Sequence, residues 1–382
     1  MIEATGTMGI SDQLADKLRE AILQGKWAVG SQMPSTRQLA KQYGVSVNTV
    51  QNVLRALSVQ GLIDLQPRRR GLVRSNAIPT PTASTAVGTQ IAVIRPAATS
   101  DDLLERDDWG TRILRVVEEG FISSAFRLTL LGYMPDKRDW CQQLQTQIDD
   151  IAHDLAGVIC FVVPGLESAL TSLIESDIPY ITINRLTENS TDNFVMADNI
   201  HDGRRVGELF ARLGFQRVLM LANNLTASGS ALEKITGVLQ AYLLQGKSTS
   251  GIELLSCRSC EANAGWASAV DYLKEHDMPQ AIFCSGDLLA IGAMRACQEA
   301  GLQVPQDVAV VGSTGLEMAQ YTQPPLSVLA QPMDEMGRQA ARMLQHMIQQ
   351  KTSRIPGVRI PGRFIVRESL SIPQQVRKEL SL

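Results

Sequence analysis

The fold of the N-terminal segment is decided by residues 35–57, which read STRQLAKQYGVSVNTVQNVLRAL. Ser35 and Gln38 have the spacing of a capping box, so a helix is expected to start there, and Gly44 is expected to end it. Ser46 can then cap a second helix. Apolar residues recur at helical spacing on one face of each predicted helix: Leu39, Ala40 and Tyr43, then Val50, Val53, Leu54 and Leu57. Two short helices joined by a glycine-containing turn predict a helix-turn-helix.

The segments on both sides of this helix pair extend it to a small domain. Upstream, apolar residues between Ser11 and Gly25 share one helical face, which predicts a preceding helix: Leu14, Leu18, Ala21 and Ile22. Downstream, Leu62–Gln66 and Leu72–Arg74 are short strand-like segments around a tip at Pro67–Gly71. The order of elements is that of a winged helix-turn-helix, a small α+β domain.

Polar side chains lie opposite the apolar face of the second helix and at the hairpin tip. Amide side chains can bond adenine through two hydrogen bonds, and arginine is suited to a narrow minor groove. A solvated helix face and a solvated turn are the alternatives for these two features, but their position beside a helix-turn-helix favours DNA contact. The polar residues are Asn48, Thr49, Gln51, Asn52 and Arg55 on the helix, where Val47 shares the outward face, and Arg68, Arg69 and Arg70 at the tip.

Charge is distributed unevenly along the 382 residues. Residues 1–75 contain ten Lys and Arg against five Asp and Glu, whereas the rest of the chain contains 26 against 34. This asymmetry is typical of a small module that neutralises phosphates, attached to a larger soluble part.

The composition also argues against several classes of protein. An apolar run of about 18 residues is missing, as is a secretory signal, so we expect no membrane partner and a cytoplasmic protein associated with the nucleoid through DNA. Six cysteines are scattered through the chain, and Cys257 and Cys260 have no second pair of ligands spaced to complete a zinc site. We therefore expect neither a metal nor a cofactor.

A segment without charge, between Arg74 and Arg95, separates two parts of the chain. It is rich in Pro, Thr, Ala and Ser, which is typical of a linker. Beyond it, short and uniformly apolar strands alternate with helices, a pattern that predicts parallel α/β sheets, and the length of this part requires two lobes. The expected organisation is a flexible N-terminus (1–9), a DNA-binding domain (10–75), a linker (76–89), a two-lobed domain (90–372) and a C-terminal tail (373–382).

Residues 10–75 resemble the GntR family of regulators. The resemblance is carried by Gly30–Ala40, Tyr43–Ser46, Leu57 and Gly61–Ile63, in that order and spacing. It implies that Arg37 of the second helix contacts DNA, that the reading helix begins near Ser46, and that Gly71 lies in the wing. Many relatives carry arginine at the positions of Val47 and Gln51, so base reading here shifts toward amide side chains. The predicted DNA-binding residues are Ser35, Arg37, Ser46, Asn48, Thr49, Gln51, Arg55, Arg68, Arg69, Arg70 and Gly71.

The remainder, from Gln90 to about Leu370, resembles the effector domain of the lactose and purine repressor family, which is similar to periplasmic sugar-binding proteins. The matching stretches are Asp198-Asn199 with Gly203-Arg204, Leu213–Val218, Gly286–Ala296, Gly301–Gly312, Pro324–Val328, Gln331 and Gly337. The resemblance implies two Rossmann-like lobes joined by three crossovers, a small molecule in the hinge cleft, and dimerisation through the lobes. Together the two parts resemble GntR/LacI chimeric repressors of the arabinose type.

The positions expected to contact an effector are Arg95, Arg185, Lys234, Asp287 and Thr314. For Arg185 and Asp287 the alternative is a structural role, in which they cap helices or pair at the hinge. Lys234 and Thr314 stand where this family keeps an arginine and an aspartate, Gly286 replaces an asparagine, and Cys260 falls near an aromatic position. The expected effector is a sugar-like or other polar metabolite, and the positive charges of Lys234 and Arg95 are compatible with an anionic one.

The sequence thus predicts a homodimeric repressor that binds an inverted-repeat operator under the control of a small metabolite. One alternative is a regulator whose lobes only dimerise and bind no ligand. A remote alternative is an enzyme domain, since some GntR-type regulators carry an aminotransferase-like part. Because no nucleophile or phosphate-loop motif is present, we expect no catalysis.

Overall fold

The computed structural model of the chain describes residues 14–15, 17–18, 21–22, 26–27, 30–59, 63–64, 72–73, 88–96, 109–134, 138–162, 166–175, 177–185, 190–223 and 229–380. The chain divides into two compact units, Met1–Ala86 and Val87–Leu382. Across the described ranges, every helix is too short or too polar to span a lipid bilayer. Within the same ranges, no three His, Cys, Asp or Glu side chains are grouped as the ligands of a metal would be.

The N-terminal unit contains the predicted helix pair, α1 (Thr36–Tyr43) and α2 (Val47–Val59). Residues 14–15, 17–18 and 21–22 are helical as well. The predicted apolar faces meet in one buried core formed by Leu14, Leu18, Ile22, Leu39, Ala40, Val50, Val53, Leu54 and Leu57. Burial of one face of α2 against this core leaves Val47 and Gln51 on the exposed side of the helix.

Two short antiparallel strands follow the helices, β1 (Ile63–Asp64) and β2 (Leu72–Val73), with Ile63 opposite Val73. The backbone of Val73 is also bonded on its other edge, because Gly30 N–H donates to Val73 O (2.7 Å) and Val73 N–H donates to Ser31 O (2.9 Å). The predicted hairpin strands are confirmed at residues 63–64 and 72–73. The predicted tip, Pro67–Gly71, lies outside the described residues.

The first lobe of the C-terminal unit is built on a six-stranded sheet in which every pairing is parallel. Its strands are β3 (Gln90–Pro96), β4 (Arg127–Tyr133), β5 (Leu155–Phe161), β6 (Tyr180–Ile183), β7 (Phe194–Ala197) and β13 (Val358–Ile360), in the order β13-β7-β6-β5-β3-β4. Its helices are α3 (Trp109–Phe121), α4 (Trp140–Ile151), α5 (Leu166–Ala169), α6 (Thr171–Glu175) and α11 (Met333–Gln350). Apolar side chains of α3 and α11 pack together on one face of the sheet.

The second lobe has a six-stranded sheet that is parallel except at one edge. Its strands are β8 (Val218–Asn223), β9 (Ile252–Cys257), β10 (Ala281–Cys284), β11 (Ala309–Gly312), β12 (Ser327–Ala330) and β14 (Arg363–Ile365), in the order β14-β12-β11-β10-β8-β9. Only β14 is antiparallel, to β12. Its helices are α7 (Asn199–Arg212), α8 (Gly229–Leu244), α9 (Ala262–Glu275), α10 (Asp287–Glu299) and α12 (Gln374–Leu380), and buried clusters lie on both faces of the sheet.

Three short segments connect the lobes, at residues 197–199, 330–333 and 360–363, as the sequence predicts. The third crossing requires a glycine. A Cβ atom on Gly362 would lie 2.6 Å from a carboxylate oxygen of Asp202 and 2.7 Å from the carbonyl oxygen of Ala330. With glycine at this position, the N–H of residue 362 can donate to the buried Asp202 carboxylate at 2.9 Å, and this hydrogen bond connects the crossing to α7.

Two elements differ from the expectation. The sequence predicts a helix near residues 109–126, but α3 ends at Phe121, where Ser124 donates both its N–H (2.9 Å) and its hydroxyl (2.6 Å) to the carbonyl oxygen of Phe121. Residues 374–380, expected as part of a tail, form α12. Val376 on α12 packs against the second-lobe core, which also buries Leu370 and Ile372.

Candidate functional site

The start of α1 is fixed by a capping box. The Ser35 hydroxyl accepts from the N–H of Gln38 (3.3 Å), and the Gln38 side-chain oxygen accepts from the N–H of Ser35 (2.9 Å). Gly44 ends the helix in the left-handed conformation, at a φ of 71°. Between these ends, Arg37 and Lys41 are exposed and the helix contains no acidic residue, so α1 presents only positive charge.

The start of α2 is capped in a similar way. Ser46 Oγ accepts from the N–H of Thr49 (3.0 Å), and the hydroxyls of the two residues lie 2.8 Å apart. Ser46 is therefore both a helix cap and a predicted DNA contact. Gln51, one turn further along α2, is exposed and available to a partner.

Several predicted DNA-binding residues have no described side chain. Asn48 and Arg55 belong to α2, but their side chains lie outside the described part of the structure, as do Arg68, Arg69, Arg70 and Gly71 altogether. Their roles stay predictions from the sequence.

In the C-terminal unit, one carboxylate of the second lobe meets two arginines of the first. Glu233 on α8 accepts from Arg359 Nη2 at 2.9 Å and from Arg359 Nη1 at 3.2 Å, and it also pairs with Arg185. Asn199 adds a fourth hydrogen bond, at 3.2 Å. Burial raises the pKa of Glu233, but the hydrogen bonds from Arg359 and Asn199 outweigh it, so the net shift is downward. The same pair raises the pKa of Arg359.

Lys234, next to Glu233, points into the second lobe. Only 3% of the residue is exposed, and its Nζ donates to the carbonyl oxygen (3.4 Å) and the hydroxyl (3.3 Å) of Ser313. Burial lowers its pKa to about 8, against the attraction of Asp202, Asp287 and Glu233. A buried ammonium is therefore held among carboxylates close to the hinge.

Asp287 and Thr314 are bonded to each other and to the loop that follows β11. The Asp287 carboxylate accepts three backbone N–H groups, from Thr314 (2.9 Å), Gly315 (2.7 Å) and Leu316 (2.7 Å). Thr314 Oγ1 in turn accepts from the N–H of Asp287 (3.3 Å). Both residues thus hold the loop at the start of α10 in place.

Of the five predicted effector residues, the structure groups three. Lys234, Asp287 and Thr314 converge near Ser313, whereas Arg185 joins Glu233 across the lobes. Arg95 lies at the carboxyl end of β3, is buried, and donates to Thr111 Oγ1 (3.1 Å) on α3.

Two comparisons with known families bear on these sites. The model for bacterial regulatory proteins of the gntR family matches residues 10–73, and the model for a periplasmic binding protein-like domain matches residues 208–370. The arabinose metabolism transcriptional repressor of Geobacillus stearothermophilus is 25% identical over 370 residues, covering 94% of this chain and 96% of that protein. The chain joins a gntR-type DNA-binding domain to a periplasmic binding protein-like domain, the architecture of a transcription regulator.

A further relative covers most of the regulator's length, and a solved structure is similar to it in fold. The HTH-type transcriptional repressor PurR of Vibrio atlanticus (strain LGP32) is 23% identical over 325 residues, 84% of the regulator and 93% of PurR. A structure of the lac repressor dimer bound to operator and the anti-inducer ONPF has a TM-score of 0.61 at 19% identity, covering 74% of the regulator and 94% of that chain. The proteins of these two sequence matches are named as repressors, not as enzymes.

Sequence reasoning missed the residues that join the lobes of the regulator. Glu233, Arg359, Asp202 and Ser313 are not among the predicted site residues, and Asn199 is named only as part of a stretch that carries the resemblance. One signal was available for Arg359, a charged residue between Val358 and Ile360 in a strand. The signal for Glu233 was only its position beside Lys234.

Proposed function

We propose that the regulator is a homodimeric repressor that binds an inverted-repeat operator and is controlled by a small metabolite between its C-terminal lobes. The observation that carries the DNA-binding part is α2, a capped helix with one face buried and Gln51 exposed on the other, inside the region that matches the gntR model. The relatives named as repressors support repression as the outcome. Such a protein works in the cytoplasm on the nucleoid, without a cofactor or a catalytic step.

In this proposal α2 enters the major groove and the wing lies beside it. Gln51 and Asn48 read an A/T-containing half-site, while Arg37 and the wing arginines supply affinity through phosphates and the minor groove. Ser46 uses its hydroxyl oxygen in a cap, so its contact to phosphate would be made by the hydroxyl hydrogen. The Ser35 hydroxyl accepts from the Gln38 N–H and also donates to the Gln38 side-chain oxygen, so its contact to phosphate would replace that donated bond. The DNA-binding domain spans 10–75, and 76–89 serves as the linker to the lobes at 90–372.

Gln51→Ala is expected to relax base preference. Loss of one amide that bonds adenine through two hydrogen bonds should reduce discrimination at a single position of each half-site by about tenfold, while binding to unrelated DNA changes little. Competition gel shifts with a set of single-base operator variants measure this. Gln142→Ala removes an exposed glutamine from α4 in the other unit and is the matched control. An unchanged preference in Gln51→Ala would remove Gln51 from the reading surface.

Dimerisation is proposed to occur through the lobes. Met318 and Tyr321 lie in and next to a short 3₁₀ helix (Glu317–Gln320) and are 47% and 74% exposed. Large exposed apolar side chains that lie close together are typical of protein interfaces. A dimer would place two winged domains on one two-fold axis, which is why the operator is expected to be an inverted repeat.

The effector is proposed to bind at the hinge, between lobes that three short crossings leave able to rearrange. A second candidate, lobes that dimerise without a ligand, is favoured by the internal pairing of Glu233 with Arg185 and Arg359. Titration with small anions separates lobes that bind an effector from lobes that only dimerise.

A further inference from the structure

Three arginines lie at the end of the first-lobe sheet where the parallel strands have their carboxyl ends. Arg95 is the second-last residue of β3, Arg185 follows β6 by two residues, and Arg359 is on β13. All strands of this sheet are parallel, so their carboxyl ends share the same edge. In open α/β sheets, ligands bind at that edge.

Glu233 comes to this edge from the opposite lobe. Its contact with Arg359 is bidentate, with two parallel hydrogen bonds of 2.9 and 3.2 Å, and Arg185 binds the same carboxylate. The side chain of Glu233 is only 11% exposed, against 18% for Arg185 and 28% for Arg359. Asp198 is the other carboxylate that acts on Arg359.

The geometry is the one by which arginines recognise a carboxylate or phosphate of a small molecule. Glu233 supplies the same chemical group from within the chain. Its tether on α8 keeps it at a high effective concentration beside the arginines, so an external anion must compete with it.

We propose that Glu233 is a built-in competitor, and that the effector is a small organic anion whose carboxylate or phosphate replaces Glu233 on Arg185 and Arg359. This inference rests on the proposed function, in which the cleft binds an effector. The exchange would break the contact of Glu233 with the two arginines, which joins the lobes, and form a contact between the arginines and the ligand. Anion binding would therefore change the balance between arrangements of the lobes.

The test measures the affinity of the full chain for inorganic phosphate and for succinate by titration calorimetry. Glu233→Gln keeps the size of the side chain but removes its charge, and it is expected to bind at least one of the two probes about tenfold more tightly than the wild type. Which probe gains distinguishes a phosphate from a carboxylate effector. Glu208→Gln, which removes an exposed carboxylate paired with Arg204 on α7, is the matched control and should show no gain.

Two further variants test whether a gain in anion affinity depends on the arginines and on the length of the Glu233 side chain. Adding Arg359→Met to Glu233→Gln should abolish the gain, because the bidentate donor is lost. Glu233→Asp shortens the side chain by one methylene and should give a smaller gain, which keeps the test valid if Glu233→Gln does not fold. No gain in either Glu233 variant, or a gain that survives Arg359→Met, would overturn the inference.

DNA binding by the same preparations is measured separately. If the wild type does not bind operator DNA, the proposed function is contradicted, but the anion titration can still be interpreted. Intact operator binding with no gain in anion affinity would contradict only the competitor role of Glu233 and would favour lobes that bind no ligand.

Discussion

Asp287→Ala is expected to lower the free energy of unfolding of the C-terminal unit by about 3–5 kcal/mol. The carboxylate is 1% exposed and accepts three backbone N–H groups, from residues 314, 315 and 316, at 2.7–2.9 Å. Removing it leaves three buried donors without their acceptor and places Lys234 among fewer negative charges. Urea unfolding followed by circular dichroism measures the change.

The control for Asp287→Ala is Asp307→Ala. Asp307 also accepts a backbone N–H, from Gln303 at 2.7 Å, but it is exposed, so water can replace it. Its replacement should cost less than about 1 kcal/mol. Equal losses in the two variants would contradict the view that Asp287 is a buried support of the loop after β11.

The stability of the wild type relative to Lys234→Met is expected to rise with pH. Burial lowers the pKa of Lys234 to about 8 in the folded chain, whereas the unfolded chain keeps the ordinary value of 10.5. Above the folded-state pKa, the folded form has released a proton that the unfolded form still holds, so stability increases with pH until the unfolded-state pKa is reached. The increase should be roughly 2 kcal/mol between about pH 7.5 and about pH 9.5.

This pH dependence is measured as the difference between wild type and variant at each pH, so titrations common to both cancel. Lys247→Met removes an exposed lysine from the same unit, and its difference from the wild type should stay constant. A difference for Lys234→Met that is flat or falls with pH would show that burial does not lower the pKa of Lys234 in the folded chain.

Local patterns in the sequence were sufficient for most of the architecture. The spacing of Val50, Val53 and Leu57 identifies the buried face of α2 because a helix repeats every 3.6 residues, and all three are buried. Apolar runs such as Ile91–Ile94 identify β3 because a strand covered on both faces has no polar side. By contrast, β13 and β14 have only three residues each, too few for any periodicity to show.

The contacts between the lobes were beyond sequence reasoning. Glu233 and Arg359 are 126 positions apart, and they meet only because α11 returns the chain to the first lobe before β13. Charged residues have many possible partners along a chain, and only the order of the crossings selects one. Asp287 and Thr314 are predicted as effector contacts, with a structural role as the alternative for Asp287, and their mutual hydrogen bonds show such a role for both.

The most direct test of the whole account is selection of bound DNA by the full chain from a pool of random duplexes. If two winged domains act on one two-fold axis, the enriched sequence should be an inverted repeat with A/T-containing half-sites whose centres are about 10 base pairs apart, or a multiple of that spacing. A pool that stays unenriched, or that yields only single asymmetric sites, would contradict a dimeric regulator that reads its operator through α2.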